Sequence, residues 1–236
     1  MTYNKKLSNI ELYYSPASLK DKNIIKIEGE ELKHITKVMR HNPGDEIFVT
    51  NGQGIIYKTS IIKINSGYIE LNISEIYNFE NSKANLFFCI PRLKSTDRIE
   101  IALEKCTELG ITNFIVFDSD RTIRKGNKPE RWEKIITAAM KQSLRSYLPS
   151  LTMADSLAEI ASKDGDMILF TQESERSFSY DAVNKQTNYY FIFGPEGDFT
   201  ENEKQLFAMK DYYNLGNYRL RSETAIIKCA SILSIA

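Results

Sequence analysis

The 236-residue chain is poor in the residues that build metal and disulfide sites: two histidines, three cysteines and a single tryptophan. Cys89, Cys106 and Cys229 are far apart and none forms a CxxC pair, so a zinc site has too few ligands to assemble. Each sits among apolar residues, as a buried thiol does, and that usage suits a reducing cytoplasm. There is no excess of either charge, with 31 Lys and Arg against 31 Asp and Glu. The total therefore argues neither for nor against a polyanionic partner. No apolar run is long enough to span a bilayer. The chain does not open on a basic, then apolar, then small-residue sequence, so a signal peptide is not expected. The GxGxxG and GxxxxGK[ST] spacings are both missing, which leaves dinucleotide and P-loop nucleotide binding without support. Internal repeats and low-complexity tracts are also lacking.

What is present is enough apolar material, 42%, to fill the core of one large domain or two smaller ones. Up to about Tyr77 the pattern is short strands: GDEIFVT, GIIYKTSIIKI and GYIELNISEIY, punctuated by Pro43-Gly44, Asn51-Gly52 and Ser66-Gly67. A short helical segment near Glu30–Val38 interrupts them. Strands so closely spaced predict a small barrel. After Asn78 strands alternate with helices, and strands such as YYFIF are apolar throughout. That rhythm predicts a parallel sheet covered on both faces. The expected division is 1–76 and 77–236.

Two stretches carry chemical signals. In FIFGPEGDFTENE a buried strand ends at Gly194, Gly194 and Gly197 flank Pro-Glu, and Thr200 with Glu203 fits a capping box. Strand-to-helix turns at the carboxyl edge of a parallel sheet are where ligands sit, although an ordinary turn has the same outline. In LGNYRLRSETAIIKCASILSIA a glycine turn feeds two arginines, and Ser222 and Glu223 suit the start of an apolar-faced helix. Between these signals and the barrel, Arg92, Lys94 and Arg98 crowd a helix N-terminus, which the helix dipole disfavours unless an anion is nearby; a solvated turn is the other reading. From Arg92 to Arg145 there are 12 basic residues against 8 acidic, including Arg121 and Arg124; from Ser146 to Asp211 the count is 5 against 12. Segregation of this kind can make a basic face for a polyanion. Trp132 has two readings, a stacking surface for a base or a packed helix residue, and packing is the commoner use. Lys37 and Arg40, near the half-buried candidate His34, are either solvated or phosphate-holding.

The motifs HITKVMRHNPGDEI, LKSTDRIEIALEKCTELGI, AAMKQSLRSYLP, FGPEGDFTENE and LGNYRLRSETA, in this order over nearly the whole chain, resemble the bacterial 16S rRNA (uracil-N3)-methyltransferase family of the knotted SPOUT superfamily. The resemblance implies an α/β fold: a PUA-like β-barrel that places RNA, then a knotted parallel-sheet methyltransferase domain with the C-terminal segment tucked beside the cofactor. It implies S-adenosylmethionine as donor and a homodimer in the cytoplasm, with no metal and no membrane. The acceptor it implies is a uridine in the decoding region of the small ribosomal subunit. Gly194, Glu196 and Gly197 match the first cofactor loop. Leu215, Gly216, Leu220, Arg221, Glu223, Thr224 and Ala225 match the second. Arg221 is the first candidate for contact with the reacting uridine, Glu223 a candidate base or a helix-start residue. Lys94, Arg98, Gln142 and Arg145 are RNA-side candidates, alongside Lys37, Arg40, Arg92, Arg121 and Arg124. The family's second glycine is Asp198 here, which can still adopt a left-handed turn, and an aliphatic position is Arg219. Two other readings stand beside this one: 2′-O-ribose methylation on the same fold, and RNA binding without catalysis.

Overall fold

The computed structural model describes residue 7 and residues 9–16, 23–121, 128–184, 186–207 and 211–234. The chain divides into two compact units, Met1–Asn81 with Met140–Leu148, and Ser82–Ala139 with Pro149–Ala236.

The N-terminal unit is a five-stranded sheet of β1 (Leu12–Tyr14), β2 (Ile24–Glu28), β3 (Glu46–Thr50), β4 (Ile55–Ile64) and β5 (Tyr68–Asn78), in the order β1-β3-β4-β5-β2. All neighbours are antiparallel except β1 and β3. Burial largely alternates along β2 and the first part of β5, as it must where one face packs and the other meets water. The packed face carries Ile27, Val49, Ile61, Ile69 and Leu71. Register shifts at Lys58/Thr59 and Ile61/Lys63 add twist, and the sheet curls in a barrel-like way. Helix α1 (Gly29–Lys33) runs on as a π-helical turn, His34–Val38, and brings Ile35 into the same core. The 140–148 segment is bound in by Ser146, whose carbonyl accepts from Gly54 N at 2.9 Å and Thr50 Oγ1 at 3.2 Å. Tyr147 Oη donates to Phe79 O at 2.8 Å.

The C-terminal unit is built on six strands: β6 (Leu86–Pro91), β7 (Asn113–Phe117), β8 (Ser150–Ala154), β9 (Asp166–Phe170), β10 (Tyr189–Phe193) and β11 (Asp211–Tyr213). Their order is β11-β9-β10-β6-β7-β8, and every pairing is parallel. The helices are α2 (Thr96–Glu108), α3 (Pro129–Gln142), α4 (Leu157–Ala161), α5 (Glu201–Gln205) and α6 (Ser222–Ser234). All five residues of β10 are buried, because helices cover both faces of a parallel sheet. Trp132 is packed in α3, and all three cysteines are free and buried; burial pushes each thiol pKa up.

The last helix is no surface appendage. After β11 at the sheet edge, the chain returns so that α6 packs on α2 and β10, with Ile226, Cys229, Ala230 and Leu233 fully buried. Asn214 fastens the return: its N–H donates to Arg176 O at 2.7 Å, its carbonyl accepts from Phe178 N at 2.9 Å, and its side-chain amide donates to Ser174 O at 2.8 Å. The C-terminal chain doubles back onto the sheet, which has the knot-like course that the resemblance implies.

Candidate active site

Strand order reverses around β10, which is laid down late yet sits between β9 and β6. In open parallel sheets such a switch leaves a crevice at the carboxyl ends of the strands. A cavity of about 530 Å³ lies there, within the usual range for a small-molecule site. Its walls come from the ends of β9, β10 and β11, with Phe170 and Phe193 stacked 5.0 Å apart between ring centroids.

The turn after β10 is shaped by close approach. A Cβ added at Gly194 would lie 3.2 Å from Asp198 Oδ1 and 3.4 Å from the Phe199 ring. Asp198 takes the left-handed conformation at φ 60°, which Asp tolerates better than most residues, and Phe199 N donates to its Oδ1 at 2.9 Å. The departure from glycine at 198 therefore leaves the turn intact. Thr200 and Glu203 form the expected capping box. Buried Glu203 also accepts from Asp120 N at 3.0 Å.

The second loop starts at Gly216, φ 141°, where Gly216 N donates to Asn214 Oδ1 at 3.1 Å. Ser222 does not cap α6 with its side chain. It is the first helical residue, and the capping carbonyl is that of Arg221, which accepts from Ala225 N at 2.9 Å. Ser222 Oγ instead donates to Gly194 O at 2.9 Å and ties the two loops together. At the mouth of α2, Arg98 stands between two carboxylates, 3.5 Å from Glu196 and 3.6 Å from Glu223. Lys94 N donates to Glu196 at 3.2 Å. The basic helix start thus finds its anions within the fold. The other Glu223 oxygen, Oε2, is buried without a hydrogen-bond partner.

Residues 79–234 match the profile of an RNA methyltransferase domain, and residues 27–74 that of an RNA methyltransferase PUA domain. The chain belongs to this RNA methyltransferase family. It is 29% identical over 226 residues to the ribosomal RNA small subunit methyltransferase E of Bacillus subtilis, covering 88% of each chain. It is 30% identical over 209 residues to the protein of the same name from Synechocystis sp., covering 83% of this chain and 67% of that one. The crystal structure of a ribosomal RNA small subunit methyltransferase E from Neisseria gonorrhoeae bound to S-adenosyl methionine has the same fold: TM-score 0.81 and 24% identity, over 96% of this chain and 98% of that one.

Within this RNA methyltransferase, the loop residues named from the sequence converge. Gly194, Glu196, Gly197, Leu215, Gly216, Leu220, Arg221 and Ala225 all line the cavity, as does Arg98. Thr224 is exposed and Glu223 half-buried, both outside its walls. Arg92 is held by Asp118 at 3.0 Å, and Arg121 donates to Gly197 O and, at 3.4 Å, to Asp198 O. Lys37, Arg40, Gln142 and Arg145 belong to the N-terminal unit. The first three are exposed, while burial lowers the Arg145 pKa. Arg124 lies outside the described residues. Sequence reading passed over Thr171 and Gln172, which follow β9 and line the cavity, and Asn214 and Tyr218 on its far side. The position of Thr171-Gln172 at the carboxyl end of an apolar strand was the available signal.

Proposed function

We propose that this RNA methyltransferase uses S-adenosylmethionine to methylate N3 of a uridine in the decoding region of 16S rRNA, in the cytoplasm and as a homodimer. The observation that carries the reading is the pair of bare-backbone turns, Gly194–Gly197 and Leu215–Ala225, closed on one cavity by the Ser222–Gly194 bond. The relatives above carry the small-subunit rRNA methyltransferase name, and the Neisseria gonorrhoeae protein holds the cofactor. The residues fit such a group: Gly194, Gly197 and Gly216 line the cavity without side chains, and the peptide groups of both turns can hold an adenine and a ribose. When bound, the cofactor supplies a methyl already activated on a sulfonium.

The chain's own work is then alignment and charge. Uracil N3 must lose its proton, and the negative charge that develops spreads to O2 and O4. Arg221 is exposed at the cavity wall and has no ion-pair partner among the described residues. Its planar fork suits a uracil carbonyl, and a positioned cation stabilises charge as it forms. Glu223 is the candidate proton acceptor by resemblance alone, for it lies outside the cavity walls with Oε2 buried and Arg98 holding the other oxygen of the same carboxylate. On the N-terminal unit Lys37, Arg40, Gln142 and Arg145 would grip phosphates, which position RNA without reading it.

Calorimetry with S-adenosylmethionine and S-adenosylhomocysteine, then nucleoside mass spectrometry of treated 16S rRNA, tests the reading. The expected product is 3-methyluridine. A 2′-O-methylated nucleoside would move the enzyme to ribose chemistry, and no cofactor binding by folded protein at millimolar ligand would leave an RNA-binding protein. Light scattering should give twice the 27.2 kDa of the chain; a mass near 27.2 kDa would end the dimer claim.

A further inference from the structure

The loop between β11 and α6 presents an aromatic side chain to which the fold gives no packing role. Tyr218 is 86% exposed, more than any other large apolar side chain among the described residues. Single exposed apolar residues are ordinary on protein surfaces. Tyr218 differs in its setting, for it lines the cavity on a turn fixed at both ends. Asn214 Oδ1 holds Gly216 N on one side; the Arg221 carbonyl and Ser222 Oγ hold the other. A tyrosine offers a broad rigid face at the cost of only two torsions.

Its neighbours are cationic. Arg219 and Arg221 are exposed on the same loop, and exposed Lys228 brings its Nζ to within 2.9 Å of where a Gly216 Cβ would stand. Between Gly216 and Lys228 the one acidic residue is Glu223, already opposite Arg98. A π-face among cations suits a flat base on an anionic backbone better than it suits an acyl chain or an apolar peptide.

We propose that Tyr218 is the platform on which the acceptor uracil stacks as it enters the cavity. The inference rests on the methyltransferase reading above and specifies how that site takes its substrate. A base must leave its own stack to reach a donor in a pocket. The tyrosine face replaces the stacking that is lost, and Arg219 and Arg221 stand where the carbonyls and the phosphate of the same nucleotide pass.

Tyr218→Ala should raise the RNA concentration needed for half-maximal methylation roughly 5- to 150-fold, the scale of one lost base–aromatic stack. Cofactor affinity and oligomeric mass should not change, and Tyr218→Phe should behave as wild type. Tyr218→Trp gives a direct readout, because Trp132 is buried. Its fluorescence should be quenched by a small-subunit rRNA fragment, and far less by that fragment with an abasic site at the methylated position. Wild-type RNA dependence in Tyr218→Ala, or a reporter unmoved by a fragment that binds, would overturn the proposal. Equal quenching by the abasic fragment would overturn it too, as would conversion of Tyr218→Ala to a monomer, which assigns the ring to a subunit interface. Failure of the underlying reading looks different: the wild-type protein would neither bind the fragment nor methylate it.

Discussion

The two sheets bury their residues in different ways. In β5 buried and solvent-facing positions alternate over much of the strand, and Lys26–Glu70 and Lys58–Glu46 pairs decorate the open face. In β10 every residue is inside, and β7 and β9 bury four of five. A sheet with one wet face can carry charge along its whole length. A sheet covered on both faces cannot, so its polar groups are displaced to the strand ends. That is why Glu196, Arg98, Arg221 and Glu223 crowd one edge of the C-terminal unit.

The largest effect that tests this contrast is on stability. Phe191 lies at the centre of β10, fully buried, with the rings of Phe88 and Phe178 at 5.5 and 5.8 Å. Phe191→Ala should cost about 3–5 kcal/mol, a large share of a typical domain's stability. Ile76 lies in β5 and is 51% exposed, so Ile76→Ala should stay within about 1 kcal/mol. Chemical denaturation of both variants decides it. Similar losses at the two positions would mean that the two sheets are not covered differently.

The next effect is on rate. If the strand-end charges act on substrate, Arg221→Ala should lower turnover by roughly 10²–10³-fold, the scale of one lost oxyanion-type donor. Melting temperature and cofactor affinity should hold, because the side chain is exposed. Single-turnover methylation at saturating RNA separates chemistry from grip. A wild-type rate under those conditions would confine Arg221 to phosphate binding.

The same contrast governs how much the sequence disclosed. Continuous apolar runs announced β6, β7, β9 and β10, and alternation announced β3 to β5. The capping box at Thr200 and the left-handed Asp198 were readable from residue type. The edge strands β1 and β11, three residues each, have too few positions to show a period. Ser222 reads as a cap by type, yet its hydroxyl is engaged by Gly194, 28 residues away. The return of residues 140–148 to the N-terminal unit rests on bonds such as Thr50 to Ser146, 96 residues apart. The hold of Asn214 on 174–178 spans about 40 residues. Periodicity is local and records none of these. The knot came from motif resemblance, since general rules of chain topology count against it.

The smallest effect belongs to the N-terminal unit, at a charge that is satisfied close by in sequence. Asp45 accepts from Asn42 N at 2.9 Å and faces His41 Nδ1 at 3.2 Å. Those two contacts, the backbone bond first, hold its carboxyl below the usual carboxylate range. A carboxyl whose folded pKa is depressed contributes stability that is fully present above its unfolded pKa, near about 3.9. That contribution disappears as pH falls through the lower folded value. Asp45→Asn removes the titrating charge and keeps the shape. Wild type should therefore exceed Asp45→Asn in stability by a small margin at about pH 5. The margin should then shrink with further acidification. Urea midpoints over that acidification give the answer. A margin that grows below about pH 5 would mean that the carboxyl is strained in the fold rather than held.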